Sequence, residues 1–466
     1  MGPFQTQTED ATDRLQTLIN KPRKREQQSS ASAIAMTYAR QFLTGAAQLG
    51  LILISARTLG ATQTGHLALA LVFPKVLAAF LNLGMGSANV YFIASRQVAP
   101  QTAWAYARNL TTIMSLLGLC LGAVVISIAS ELFFAGIDES ALAISLIALP
   151  CILLVSATAS ILQGMQDFPA FNRAVLFQPV LAFFGVVILW LFDTVNLKLL
   201  IILVSLSHGI AGISALVALS LRIPLVSGGV PTGQYARKAF GYGVKSHLSN
   251  LLTYLNYRTD IFLVNAIAGP SAAGLYAIAI RLAEQVWLIS QAFATIALPR
   301  FSTLTITDNA RNKVAPQMAR IALWLTISAA GLLAVCAEPL IALLFGAEFV
   351  ASSATFRILL IGVVALSASQ ILASDLASRG LVGMNLTIMA LVLFVNIAGN
   401  LKLIPEYGIE GAAMATSGAF AAGLAARLFL TSMLFNTKLW SPLARSGSEI
   451  RNIYRDIRGH RHHNNR

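Results

Sequence analysis

The sequence is poor in charged residues and in cysteine. Only 11% of its 466 residues are Asp, Glu, Lys or Arg, whereas ordinary soluble domains contain about 25%. The three cysteines lie far apart in apolar stretches, so they form neither a disulfide framework nor a ligand cluster, and we expect no metal site. These deficits exclude a large soluble catalytic domain and a disulfide-stabilised secreted fold.

Several catalytic motifs are also missing. No lysine follows a glycine anywhere in the chain, which excludes the Walker A loop that cradles nucleotide phosphates. Neither H-E-x-x-H nor G-x-S-x-G occurs, so the usual zinc protease and serine hydrolase motifs are excluded as well. We therefore expect no cofactor and no enzymatic activity, and transport driven by the chain's own ATPase is ruled out.

What the sequence has is long apolar stretches. Hydrophobic residues make up 56% of the chain, and the mean hydropathy is +0.71. Because a membrane-spanning helix needs about 20 apolar residues, this pattern predicts an all-α polytopic membrane protein with about twelve transmembrane helices. The predicted spans are 34–56, 66–92, 104–129, 142–162, 171–192, 199–221, 240–267, 272–298, 321–344, 354–377, 384–403 and 409–435.

A polar stretch rich in Gly and Pro divides these spans into two sets of six. The predicted units are a polar tail at 1–32, an N-terminal lobe at 33–221, a linker at 222–239, a C-terminal lobe at 240–437 and a basic tail at 438–466. The first tail lacks the short apolar core and the cleavage site of a signal peptide, so we expect it to stay in the cytoplasm.

Basic residues are distributed unevenly between alternate connections. Both tails and the even-numbered connections together hold 23 Lys and Arg residues, whereas the odd-numbered connections hold 3. Because Lys and Arg are retained on the cytoplasmic side, we predict a multi-pass protein of the inner (plasma) membrane with both termini in the cytoplasm. This orientation explains most of the net charge of +14, so no nucleic-acid partner is needed.

The two halves contain matching glycines. Gly60 and Gly65 correspond to Gly269 and Gly274 at an offset of 209, Gly136 to Gly346 at 210, and Gly164 to Gly380 at 216. Matches in the same order at nearly one offset indicate a duplication. Since each half has an even number of spans, the repeats are predicted to be parallel, with a site between them near the membrane midplane.

Polar and charged residues are concentrated in the first two spans of each half. An ionisable side chain at the bilayer centre costs roughly 2.5 to 3.5 kcal/mol on insertion scales and usually faces a partner or a wet cavity. We therefore predict a central cleft with these substrate-binding residues: Lys75, Asn82, Lys245, Tyr254, Arg258 and Arg281. The alternative is a purely structural network, in which Glu284 neutralises Arg281 and Asp260 neutralises Arg258.

Acidic residues within the spans are candidates for coupling transport to an ion gradient or to the membrane potential. These residues are Asp260, Glu284 and Asp375. Asp375 is the weakest candidate because it lies near the predicted end of its span.

Five segments resemble those of a known family. They are YRTDIFLV from Tyr257, AGLYAIA from Ala273, LPRF from Leu298, LFGAEF from Leu344 and NLKLIPEYGIEGAA from Asn400. In this order and spacing, the chain resembles the Wzx-type oligosaccharide flippases of the polysaccharide transporter family, within the superfamily of multidrug, oligosaccharidyl-lipid and polysaccharide exporters. The resemblance covers essentially the whole chain between the tails, and the long polar N-terminal tail departs from it.

The resemblance implies two six-helix lobes around a cleft that opens alternately to each side. It implies outward movement of an undecaprenyl-diphosphate-linked oligosaccharide for O-antigen, capsule or exopolysaccharide synthesis. The expected partners are this lipid-linked oligosaccharide and bilayer lipids, and other polysaccharide-assembly proteins are left open as partners.

Two other functions remain open at this point. The first is a multidrug or cation antiporter of the same superfamily, although a site for cationic drugs should be dominated by acids. The second is a membrane-embedded polysaccharide polymerase or ligase, although such an enzyme should carry its catalytic groups on a sizeable outer loop and the predicted outer loops are short.

Overall fold

The computed structural model describes residues 4–225, 233–303 and 308–435, with the backbone alone for 4–35, 245, 289–290, 292–303, 308–314 and 435. The first half consists of α1 (Phe4–Leu81), α2 (Met85–Ala94), α3 (Pro100–Phe133), α4 (Glu139–Leu146), α5 (Ala148–Gly164), α6 (Phe168–Leu191) and α7 (Leu197–Ser220). The second half consists of α8 (Gly233–Asn256), α9 (Thr259–Ala268), α10 (Pro270–Thr303), α11 (Asp308–Val335), α12 (Ala337–Phe345), α13 (Ser352–Ser378) and α14 (Val382–Phe435). A short 3-10 helix, Ala347–Ala351, joins α12 to α13.

Eight helical segments in the described part of the chain are long and apolar enough to cross a membrane. Two of them, Met36–Leu81 and Val382–Leu434, each coincide with two predicted spans, so the eight segments cover ten of the twelve predictions. The other two predicted spans, 240–267 and 272–298, correspond to α8 with α9 and to α10. The predicted all-α polytopic fold is confirmed, and twelve crossings are consistent with it.

Glycines interrupt the two longest helices. Gly60 in α1 has φ 75° and ψ 178°, and Gly408 in α14 has φ 56° and ψ −133°. Backbone at positive φ is readily adopted by glycine and is strained for residues with a side chain. The chain therefore passes from one span to the next at these glycines without an extended loop.

The two halves repeat local conformations at several of the matched positions. Gly269 has φ 88° and ψ 174°, close to the values at Gly60, and each glycine precedes a long helix that lines the cleft. One predicted match is wrong, because the residue that corresponds to Gly380 (φ 80°) is Gln166 (φ 61°) rather than Gly164. Both follow a helix C-terminus that is closed by the same pair of backbone hydrogen bonds.

Four predicted spans are interrupted in their interior: 142–162 and 321–344 by one residue each, Ile147 and Cys336, and the other two by longer breaks. The span 66–92 breaks at residues 82–84, where Gly84 has φ 71°, and the span 240–267 breaks at Tyr257 and Arg258. Hydropathy does not reveal such breaks because apolar residues continue on both sides of them. Interrupted helices occur at membrane depth where the freed backbone groups are buried in protein or line a cavity.

The backbones of the two halves touch at one end of the cleft. A Cβ atom on Gly65 would collide with the carbonyl oxygen of Pro270, and one on Gly274 would collide with that of Ala61. Only glycine permits this approach of α1 to α10. The duplicated glycines thus meet each other across the boundary between the repeats.

Reciprocal helix caps join the halves at the same end. The guanidinium of Arg57 donates to the carbonyl oxygen of Leu344 at 2.7 Å, near the C-terminus of α12. The carboxylate of Glu348 accepts from the amide of Ala61 at 2.8 Å, just after the break at Gly60. Each side chain satisfies a backbone group that a helix terminus leaves without an intrahelical partner.

A second contact between the halves lies at the opposite end of the cleft. A Cβ atom on Gly84 would collide with the carbonyl oxygen of Gly243, and the rings of Tyr91 and Tyr242 stack with centroids 4.6 Å apart. The space between the halves is therefore bounded at both ends.

Parts of the predicted domain division lie outside the described residues. These parts are 226–232 of the linker and the whole C-terminal tail, 438–466. Helix α8 begins at Gly233, which is seven residues earlier than the span predicted at 240–267. The backbone of the predicted N-terminal tail is helical from Phe4 and continuous with α1.

Candidate functional site

A cavity lies between the two halves of the protein. It is lined by α1, α6 and α7 from the first half and by α9, α10 and the break at Tyr257 and Arg258 from the second. Its empty space is about 840 Å³, including the part open to solvent. The polar residues that line it are Gln48, Lys75, Gln178, Tyr257, Arg258 and Arg281. We call this space the cationic cavity.

Two arginines share one carboxylate at the cationic cavity. Arg281 and Glu284 are one turn apart on α10, and their nearest charged atoms are 2.9 Å apart. Arg258, at the helix break, approaches the other oxygen of Glu284 at 2.8 Å. A further hydrogen bond, 3.1 Å long, runs from Arg281 to the Oε1 atom of Gln48 on α1, so the cluster joins both halves of the chain.

Lys75 adds a third positive charge to the same cavity. It follows Pro74 on α1 and lines the cavity together with Arg258 and Arg281. Within the described part of the chain, Lys75 makes no hydrogen bond and no ion pair. Three cations therefore line a cavity whose described lining contains no carboxylate, and two of them share Glu284. This excess positive charge suits an anion with several oxygen acceptors.

Asp260 does not pair with Arg258, so that part of the structural alternative is wrong. Its Oδ2 atom accepts a 2.7 Å hydrogen bond from the hydroxyl of Tyr276, and the hydroxyl of Thr416 lies 3.4 Å away. The Oδ1 atom accepts from the amide of Ile261 at 2.9 Å, in the first turn of α9. Asp260 is only 3% exposed.

A chain of side-chain hydrogen bonds continues from Asp260 to α14, within the second half. Asn396 donates to the hydroxyl of Thr416 at 3.3 Å, and Asn400 donates to the side-chain oxygen of Asn396 at 2.7 Å. These residues lie on α14 on both sides of the break at Gly408, so the network joins the two arms of that helix to α9.

Three further predicted site residues, Asn82, Asp375 and Tyr254, do not line the cationic cavity. Asn82 donates to the hydroxyl of Ser156 on α5 at 2.9 Å. Asp375 is buried and pairs with Arg379, one turn later on α13, at 3.0 Å. Tyr254 lines a neighbouring cavity with Arg258. The side chain of Lys245 lies outside the described residues.

The neighbouring cavity lies within the second half of the chain. Four aromatic side chains line it, Tyr254, Tyr257, Trp287 and Phe420, together with the carboxylates of Asp260 and Glu284. The ring centroid of Tyr257 is 4.8 Å from that of Trp287 and 6.0 Å from that of Phe420. Tyr257, Arg258 and Ile280 are walls of both cavities. We call this space the aromatic cavity.

Sequence reasoning missed several residues that line these cavities. Gln178 lies on α6 and donates to Ser207 on α7 at 3.0 Å. Nothing in the sequence indicated its position, because it is not part of a row of polar residues at helical spacing. Trp287 lies about one turn after Glu284 on α10, a helix already identified as polar. From the sequence alone, its ring could not be told from any other apolar side chain of a membrane span. A search for aromatic residues on the polar helices would have found both Trp287 and Tyr257.

Comparison with protein families assigns residues 54–354 to a family described as polysaccharide biosynthesis protein. A relative described as a probable low-salt glycan biosynthesis flippase, from Haloferax volcanii, is 26% identical over 198 residues. The match covers 41% of this chain and 41% of that relative. The chain thus matches about two fifths of the length of that relative.

The fold is similar to that of several solved membrane proteins. A lipid II flippase MurJ in an inward closed conformation has a TM-score of 0.73 and 16% identity, over 88% of this chain and 89% of that one. An inward-facing multidrug resistance MATE family transporter of the MOP superfamily has a TM-score of 0.66 and 12% identity, over 84% and 94%. A MOP superfamily transporter from Pyrococcus furiosus has a TM-score of 0.63 and 15% identity, over 87% and 95%. At these identities the likeness concerns the fold alone.

Proposed function

Because the chain belongs to the polysaccharide biosynthesis protein family, we propose that it is a flippase for an undecaprenyl-diphosphate-linked oligosaccharide. It would carry this lipid across the inner membrane by alternating access, for O-antigen, capsule or exopolysaccharide synthesis. The observation that carries the proposal is the cationic cavity between the halves, whose described lining contains Lys75, Arg258 and Arg281 and no carboxylate.

Lys75, Arg258 and Arg281 together are suited to hold the diphosphate group of the lipid carrier. An arginine binds phosphate oxygens through a planar fork and stays charged when it is desolvated, whereas a lysine acts as a mobile point charge. At an effective dielectric constant near 20, one charge pair at 4 Å contributes about 4 kcal/mol before desolvation costs. Several cations must therefore converge to offset the burial of a diphosphate, and three line the same space.

Alternating access requires the contacts at the two ends of the cleft to open in turn. Under the predicted topology, the contact of Gly65 with Gly274 lies on the outer side and that of Gly84 with Gly243 on the cytoplasmic side. Release outward would separate α1 from α10 and remove the bonds of Arg57 and Glu348. Reporter fusions after Leu221 and at the C-terminus are expected to give cytoplasmic signals, and a periplasmic signal at either point would contradict this assignment.

The proposal is tested by the lipid that accumulates when the protein is lost. In deletion cells we expect intact lipid-linked repeat units on the cytoplasmic face, and mass spectrometry of these units identifies the glycan. Flipped but unpolymerised units would instead indicate a polymerase or ligase.

Point variants test whether glycan export depends on the arginines of the cationic cavity. The double variant Arg258→Ala and Arg281→Ala should lose glycan export, whereas Arg281→Lys should fold normally and transport more slowly. Arg357→Ala is the matched control, because Arg357 pairs with the exposed Glu338 far from the cavity. Wild-type export by the double variant at normal expression would rule out the diphosphate site.

Coupling to an ion gradient or to the membrane potential is part of the proposal. Of the three acidic candidates, Glu284 is occupied by two arginines and Asp375 by Arg379, whereas the partners of Asp260 are neutral groups. Asp260 is therefore the best candidate. Asp260→Asn should abolish the stimulation of flipping by an imposed gradient in vesicles. An undiminished rate in wild-type vesicles without any gradient or potential would instead indicate passive exchange.

A further inference from the structure

We infer that the aromatic cavity binds the sugar that is linked directly to the diphosphate of the transported lipid. The inference rests on the proposed function and assigns a second part of the substrate to a place in the fold. Arg258 is a wall of both cavities. A ligand whose diphosphate contacts Arg258 in the cationic cavity therefore places the adjacent group at the entrance of the aromatic cavity.

The aromatic cavity contains polar atoms that lack partners. Asn256 is 1% exposed, and its amide nitrogen donates to the carbonyl oxygens of Leu252 at 3.0 Å and Met389 at 3.2 Å. Since both of these partners are acceptors, they determine the orientation of the amide, and its Oδ1 atom is buried without a hydrogen bond. The indole N–H of Trp287 is likewise buried without an acceptor. Both residues line the cavity, so its wall contains one unpaired buried acceptor and one unpaired buried donor.

Unsatisfied buried groups distinguish between classes of ligand. Leaving a buried donor or acceptor unpaired costs about 1 to 3 kcal/mol, so a ligand that supplies both partners gains affinity. A pyranose has hydroxyl or acetamido groups that donate and accept, and its C–H face packs on an aromatic ring. Tyr257, Trp287 and Phe420 provide such rings on adjacent walls.

Two other occupants fit less well. An isoprenoid chain would fill the apolar part of the cavity but would leave Asn256 and Trp287 unpaired. An organic cation would meet the carboxylates of Asp260 and Glu284, but it would also meet Arg258, and without an acceptor it leaves the indole N–H unpaired.

The experiment compares three lipids on the full-length protein in nanodiscs. They are undecaprenyl diphosphate, the same lipid carrying one N-acetylglucosamine, and the same lipid carrying one galactose. Each competes with fluorescently labelled undecaprenyl diphosphate. We expect at least one of the sugar-bearing lipids to bind about tenfold more tightly than the bare lipid, since one hydrogen bond and one ring contact together supply about 1.4 kcal/mol.

Variants of Trp287 test whether the aromatic cavity causes this preference. Trp287→Phe keeps a ring and removes the N–H, so the preference should fall to about threefold, and Trp287→Leu should abolish it. Binding of the bare lipid should stay within about twofold in both variants, because Trp287 does not line the cationic cavity. Trp324→Leu, at an exposed tryptophan of α11, is the matched control and should leave the preference unchanged.

The outcomes separate this inference from the proposed function. If the wild type binds all three lipids equally, or if Trp287→Phe and Trp287→Leu both keep the full preference, the sugar assignment is overturned and the diphosphate site stands. If none of the lipids binds, the proposed function fails and this inference fails with it. If tetraphenylphosphonium binds at Trp287 and the sugar-bearing lipids show no preference, the aromatic cavity is a cation site and the inference is overturned.

Discussion

Replacing Glu284 by glutamine removes the carboxylate with which both arginines of the cationic cavity pair. The side chain keeps its size, so packing changes little, and the perturbation is mainly the loss of one negative charge. Arg258 and Arg281 then lose the partner they approach at 2.8 Å and 2.9 Å. Two guanidinium groups and Lys75 are left facing one another across the same space.

The cost to stability follows from the geometry. Each arginine loses an attraction of about 4 kcal/mol at an effective dielectric constant of 20. Part of this loss is offset, because a neutral glutamine avoids the free-energy cost of desolvating a carboxylate. Breaking a fully buried ion pair costs about 3 to 5 kcal/mol in measured cases. The side chains of Arg258, Arg281 and Glu284 are only partly buried, with 21% to 27% of their surface exposed. We therefore expect the free energy of unfolding to fall by about 2 to 3 kcal/mol.

Inorganic pyrophosphate tests whether Arg258 and Arg281 bind a diphosphate group once Glu284 is replaced. Added to purified Glu284→Gln in detergent at constant ionic strength, it should restore much of the lost stability, because it binds the uncompensated cations of the folded state. A ligand at 100 times its dissociation constant stabilises by about 2.7 kcal/mol. The wild type should gain less at the same concentration, since Glu284 competes with the ligand there. Thermal unfolding with and without pyrophosphate measures both effects.

Glu338→Gln removes an exposed acid that pairs with Arg357, so it should cost less than about 1 kcal/mol and create no response to pyrophosphate. If Glu284→Gln unfolds like the wild type, or if pyrophosphate stabilises the two proteins equally, then Glu284 does not balance the arginines as described and the charge argument fails.

Two further predictions concern other parts of the fold. Gly65→Ala should separate α1 from α10, so cysteines introduced in the cleft should react faster with a thiol reagent added from the outer side. Gly331→Ala is the control and should leave this reactivity unchanged, because a Cβ atom there meets nothing within 4 Å. Partial burial raises the pKa of Asp167, but hydrogen bonds from Arg222 and the Ala170 amide, with the nearby arginine charges, outweigh it and hold this pKa below its ordinary value. The stabilisation is therefore present above about pH 4 and is lost as the pH falls through the folded-state pKa, so Asp167→Asn should lower stability at neutral pH by about 1 kcal/mol or less and flatten the acid limb of a stability profile.

Local properties of the sequence determined the class of the fold and part of the site. The length and hydropathy of the apolar stretches predicted an all-α membrane protein, because a span must satisfy its backbone within one helix. The glycines at 60 and 269 marked equivalent turns, since a positive φ is a property of a single residue. The charges on the polar helices indicated a cationic cleft, and the pairing of Arg281 with Glu284 followed from their spacing of one turn.

Only the tertiary structure decided how those charges are shared. Arg258 lies 26 positions before Glu284 in the sequence, and the break at Tyr257 that turns Arg258 towards α10 leaves no mark in hydropathy. The hydrogen-bond partners of Asp260, Tyr276 and Thr416, come from two other helices, so Asp260 does not pair with Arg258, two positions earlier in the sequence. The meeting of Gly65 with Gly274, and the two cavities with a common wall at Arg258, likewise depend on helix packing between distant segments. Periodicity tells which side of a helix is polar, whereas the identity of the opposing group depends on which helix packs there.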